Sequence, residues 1–113
     1  MKNYLESLLL NCESELTKEV IEIVMDNIDN YENPINYFTE VMTYGCVSGI
    51  VTELIYYYQT EKFFDRHVDE ILEIYNTILE QGIELDIEIN RNNLSWLAFE
   101  ETIKSLYYDF MVL

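Results

Sequence analysis

Three glycines and one proline among 113 residues leave this chain few places to break a helix. No linker, low-complexity tract or internal repeat interrupts it, and its apolar residues recur with helical period over most of its length. Leu5, Leu8, Leu9 and Cys12 fall on one side of a short opening helix. Ser14 is placed to cap the next, where Val20, Ile21, Val24, Met25 and Ile28 mark a buried face. Asn33-Pro34 restarts the chain with a cap and a proline at the first helical position, and Tyr37, Phe38, Val41 and Met42 then face inward. Gly45 and Gly49 could end a helix or let two helices approach closely. Ile50, Val51, Leu54, Ile55 and Tyr58 continue the stripe up to a cap at Thr60. The longest helix follows, with Phe64, Val68, Ile71, Leu72, Tyr75, Ile78 and Leu79 inward and Gly82 as its stop. A last helix, capped by Asn93 or Ser95, carries Leu97, Phe99, Ile103, Leu106 and Phe110.

One segment breaks the pattern. Ile83-Glu84-Leu85-Asp86-Ile87-Glu88-Ile89 alternates apolar and acidic residues, the period of a half-buried strand. A lone strand has unpaired backbone groups, so it must pair near Gly45, lie extended on the helices, or pair across a two-fold in a homodimer. The expected fold is therefore mainly α: residues 1–113 as one compact domain of five to six helices, with a short acidic strand or extended segment at about 83–89. Half of the residues are hydrophobic, enough for a core at this length without staples.

Twenty-two acids face six Lys and Arg, a formal net charge of −16. Such a surface repels nucleic acid and anionic membranes and attracts basic proteins. The acids are ordered. Glu19, Glu22, Asp26 and Asp29 share one helical stripe; Glu61, Asp65, Asp69 and Glu73 recur every four residues, ~6 Å apart; Glu84, Asp86 and Glu88 repeat every ~6.6 Å on one strand face. A surface tuned for solubility alone mixes signs. Stripes with few interleaved cations fit mimicry of a nucleic-acid backbone, although duplex DNA carries a charge per ~1.7 Å and several stripes must act together. Ten tyrosines add to this reading. Successive helical side chains diverge by ~100°, so Tyr56-Tyr57-Tyr58 and Tyr107-Tyr108 must each place a ring near the surface, where tyrosine suits a protein interface. The expected partner-binding residues are Glu61, Asp65, Asp69, Glu73, Glu84, Asp86, Glu88, Tyr56 and Tyr57.

No catalytic or cofactor motif is found, and no metal site is expected. His67 is the sole histidine and is expected on the surface; two Glu-x-x-His motifs, a P-loop and GxSxG are missing. The remote enzymatic alternative is a Mg²⁺-dependent nucleotide pyrophosphatase, using Glu19-x-x-Glu22 and Glu70-x-x-Glu73. The apolar residues between those acids fit the buried faces, which turns the acids outward. Cys12 and Cys46 have no CxxC spacing and read as reduced thiols, and neither a signal peptide nor a membrane span is legible. A cytoplasmic protein is expected.

Tyr44-Gly45-Cys46-Val47-Ser48-Gly49, Leu54-Ile55-Tyr56-Tyr57, Thr60-Glu61-Lys62-Phe63-Phe64 and Trp96-Leu97-Ala98-Phe99-Glu100-Glu101-Thr102 together resemble small acidic proteins of phages and mobile elements of low-GC Gram-positive bacteria. The resemblance spans about residues 36–106. It implies a bacterial host cell and an anti-CRISPR or anti-restriction role, with a CRISPR effector or restriction nuclease as the basic partner, and it supplies no catalytic residues. A structural or adaptor protein that self-associates through 83–89 and the tyrosine clusters is the alternative.

Overall fold

A computed structural model describes residues 2–29, 36–38, 41, 62–85 and 88–112. Five helices are bounded within them: α1 (Lys2–Asn11), α2 (Glu15–Ile28), α3 (Phe63–Arg66), α4 (Val68–Glu80) and α5 (Arg91–Met111). Residues 36–38 and 41 are helical as well. The chain is mainly helical and forms one globule, with a radius of gyration of 13.7 Å against about 13 Å expected for this length. The expectations on Asn33-Pro34, Met42, Gly45, Cys46, Gly49, Ile50 through Tyr58, Thr60, Glu61, Asp86 and Ile87 lie outside the described residues.

α5 is the hub. It packs on α4, α3 and α2, while α1 lies against α2. Leu94, Ser95, Trp96, Ala98 and Phe99 are all buried, so the first half of α5 is covered on more than one face. From Thr102 onward only Thr102, Ile103 and Leu106 continue the buried line, with Tyr107 and Phe110 partly covered. Two hydroxyls in this helix are satisfied by the preceding turn: Ser95 donates to the Arg91 carbonyl and Thr102 to that of Ala98, both at 2.8 Å. The core around it takes Leu5 from α1, Leu16, Val20, Ile21, Val24 and Ile28 from α2, and Tyr37, Phe38 and Val41. The Phe38 ring meets Tyr37 edge-on and Tyr107 at a tilt, each at 5.8 Å between centroids.

The helix ends follow local chemistry. Ser14 caps α2 by accepting the Thr17 amide at 3.1 Å. α4 stops at Gly82, whose φ of +75° suits a residue without Cβ. There the Gly82 amide donates to the Leu79 carbonyl at 3.0 Å and the Ile83 amide to that of Ile78 at 3.4 Å, a Schellman closure. The cap of α5 is Asn90, not Asn93 or Ser95: its side chain accepts the Asn93 amide at 3.0 Å. Asn93 instead donates its side-chain amide to the Glu88 carbonyl.

The expected long helix is two. His67 ends α3 and opens α4 with φ −126° and ψ 26°, and its amide donates to both Phe63 and Phe64 carbonyls at 3.2 Å. No glycine or proline marks this break. His67 is buried rather than on the surface, its ring 4.9 Å from that of Phe63 and its Nε2 on the Glu19 carboxylate of α2. On α4, Ile71 and Ile78 are buried, whereas Leu72 and Leu79 are 41% and 47% exposed, against the inward face expected for them.

The alternating segment does not form a strand in its described residues, 83–85, 88 and 89. Ile83 and Ile89 are 47% and 45% exposed, so the odd-numbered residues are not a buried face. These residues lie between the stop at Gly82 and the cap at Asn90, so the strand expected there is not found among them.

Candidate acidic interaction surface

The six cations decide what the acids can do. Among the described residues four of them hold an acid of the same chain. Lys18 pairs with Glu15 at 3.3 Å and Lys104 with Glu101 at 3.1 Å, each within one helix. Arg66 pairs with Glu19 and joins α3 to α2, while Arg91 pairs with Asp65 at 3.1 Å and joins α5 to α3. The Arg91 guanidinium also lies 5.5 Å over the Phe64 ring.

Two acids expected to face solvent are therefore structural. Glu19 meets both Arg66 and His67 and keeps only 19% of its side chain exposed. Glu70 accepts the Ser14 hydroxyl and, at 3.4 Å, the Leu16 amide, so it completes the N-terminus of α2 from across the fold. Their partners in the Glu-x-x-Glu spacing, Glu22 and Glu73, point to solvent. Among the described residues no group of three or more His, Cys, Asp or Glu is placed to hold a metal ion.

Most of the other described acids face outward. Glu22, Asp26 and Asp29 are exposed on α2, Asp69, Glu73 and Glu80 on α4, and Glu84 and Glu88 on the link to α5. Of the expected partner-binding residues, Asp65, Asp69, Glu73, Glu84 and Glu88 are thus at the surface, and Glu61, Asp86, Tyr56 and Tyr57 lie outside the described residues. The break at His67 separates Asp65 from Asp69, so the expected four-apart stripe is interrupted, and Asp65 already holds Arg91. Of the second tyrosine cluster, Tyr107 packs against the core and Tyr108 is 66% exposed.

Two grooves open between helices beside these acids. A groove of about 580 Å³ runs between α1, α2, α4 and α5, with Cys12, Glu73, Glu101 and Asp109 among the residues that line it. Cys12 is a free, half-buried thiol that donates to the Ser14 carbonyl at 3.5 Å. A second, of about 270 Å³, lies between the end of α4 and the first half of α5. Among the residues that line it Glu100 is half-buried; burial first and neighbouring Glu101 second push its carboxyl above the usual range, against the pull of Lys104. For Lys104 burial works to lower the ammonium, but the hydrogen bond and charge of Glu101, with Glu100 and Tyr108, outweigh it and raise it.

The acids missed by sequence reasoning are Glu19 and Glu70. A clue to the first is Arg66-His67, two adjacent basic residues in a chain with few; the second has no comparable local mark. No described helix is long and apolar enough to cross a membrane. No curated protein and no solved structure matches the chain. A family profile for a domain of unknown function, DUF7222, matches residues 13–111.

Proposed function

The chain belongs to the DUF7222 family, and from that footing we propose that it is a non-enzymatic binding protein whose acidic surface occupies a basic nucleic-acid groove of a partner protein. The observation that carries this reading is the allocation of cations. Lys18, Arg66, Arg91 and Lys104 each sit on an acid of the chain itself, and the surplus charge is left on exposed Glu22, Asp26, Asp69, Glu73, Glu80, Glu84 and Glu88. A partner groove lined with Lys and Arg would be drawn to that surface, and the attraction would weaken with salt.

The setting follows the resemblance to phage and mobile-element proteins: the partner is a CRISPR effector or a restriction nuclease in the bacterial cytoplasm, and the effect is to block nucleic-acid binding or cleavage. Displacement of a fluorescein-labelled DNA duplex from such effectors, followed by anisotropy, tests it. Displacement at low salt that fades at moderate salt, and that Asp69→Lys/Glu73→Lys abolishes, is the expected result. Duplex that stays bound at low salt, or displacement that the double variant retains, would overturn it.

A further inference from the structure

The groove between α4 and α5 sets apolar side chains directly beside acids. Ile78, Ile83, Trp96 and Leu97 line it, together with the acids Glu84 and Glu100. The Schellman closure at Gly82 produces this arrangement: it folds Ile83 back beside Ile78 yet leaves Ile83 47% exposed. At about 270 Å³ the groove can seat a bulky apolar side chain.

Charge selects the occupant. Residues 68–90 hold seven acids and no Lys, Arg or His. Among the described residues that line the groove, Lys104 is the one cation, and it is paired with Glu101. A second copy of the chain would bring its own net charge of −16 against these acids. We propose that this groove anchors an apolar side chain from a basic amphipathic segment of a partner protein, with flanking Lys or Arg meeting Glu84 and Glu100. The anchor rests on the basic-partner reading above and deepens it: an acidic surface alone attracts any polycation, whereas an apolar anchor beside it discriminates among them.

The test uses two synthetic peptides of equal charge, one of leucine and lysine and one of serine and lysine, titrated into the full chain. Trp96 is the only tryptophan and lines the groove, so its emission reports occupancy. The leucine peptide should bind at least about tenfold more tightly, the worth of burying one large apolar side chain, and should shift Trp96 emission. Ile83→Ser should weaken it about fivefold or more with the helical circular dichroism unchanged, while Glu6→Lys on α1, exposed and outside the groove lining, should change it less than about twofold at moderate salt. Equal affinity for the two peptides, leucine-peptide binding that leaves Trp96 emission unmoved, or a dimer in sedimentation that Ile83→Ser dissolves would each overturn the anchor. If the anchor fails but DNA displacement persists and depends on Asp69 and Glu73, the acidic-surface reading stands without it. If displacement fails too, both fall.

Discussion

Ser14 and Glu70, 56 positions apart, share the N-terminus of α2: the Ser14 hydroxyl accepts the Thr17 amide and donates to the Glu70 carboxylate, which also accepts the Leu16 amide. Two amides that a helix start leaves without intrahelical partners are satisfied this way, and a negative charge sits at the positive end of the helix dipole. Ser14→Ala should therefore cost about 1 kcal/mol and Glu70→Ala about 1–2 kcal/mol. Because the two side chains form one unit, the double variant should fall short of the sum by at least about 0.5 kcal/mol in urea unfolding. Strict additivity would mean that the two side chains act independently.

Glu19 and Glu22 lie one turn apart on α2 and should respond very unequally to removal. Glu19 meets Arg66 and nearly buried His67, and its loss leaves a buried imidazole without that acceptor. Glu19→Ala should destabilise by about 2–3 kcal/mol. Glu22 is exposed, and Glu22→Ala should stay within about 0.5 kcal/mol. Chemical denaturation of both variants at one pH checks this, and equal losses would remove the distinction between structural and surface acids.

What the sequence made legible was local. Ser14 as a cap, the buried face Val20, Ile21, Val24 and Ile28, and the stop at Gly82 all follow from residue type and spacing within one turn or two. The break at His67 was not legible, because no local residue forces it; the side chain turns inward to a carboxylate 48 positions away. The same holds for the site. Asp69, Glu73, Glu84 and Glu88 lie at the surface as their spacing suggested, yet Asp65, Glu19 and Glu70 are claimed by Arg91, Arg66 and Ser14 from other elements. The alternation in 83–89 misled differently. Period two describes a strand only when another strand offers its edge, and here the segment falls between the C-terminal closure of one helix and the N-cap of the next.

The charge surplus also sets how the fold should respond to salt. With a net charge of −16 and like charges along α4 and the link, self-repulsion opposes the compact state. Screening weakens that repulsion; the exposed Arg91–Asp65 pair, with side chains 71% and 44% accessible, loses little in return. Raising sodium chloride from low to moderate concentration should lift the melting temperature by several degrees, about 1 kcal/mol of stability for a domain of this size. A melting temperature that falls with salt would show that the ion pairs outweigh the repulsion.

Glu100 gives a pH dependence of opposite sign to that of an ordinary salt-bridged acid. Burial, then Glu101, raises its carboxyl in the folded chain above the unfolded value, so the folded state binds the proton more tightly. The ionised group thus opposes folding. Its cost is absent below the unfolded value near pH 4, grows as pH rises toward the folded value, and is complete above it. Glu100→Gln should consequently stabilise the protein at pH 7, and the advantage over wild type should shrink to nothing as the pH falls to about 4. Thermal melts of both proteins across that range measure the difference directly, which separates Glu100 from the many other carboxylates that titrate in parallel. An advantage that stays constant down to pH 4 would place its origin in packing of the amide.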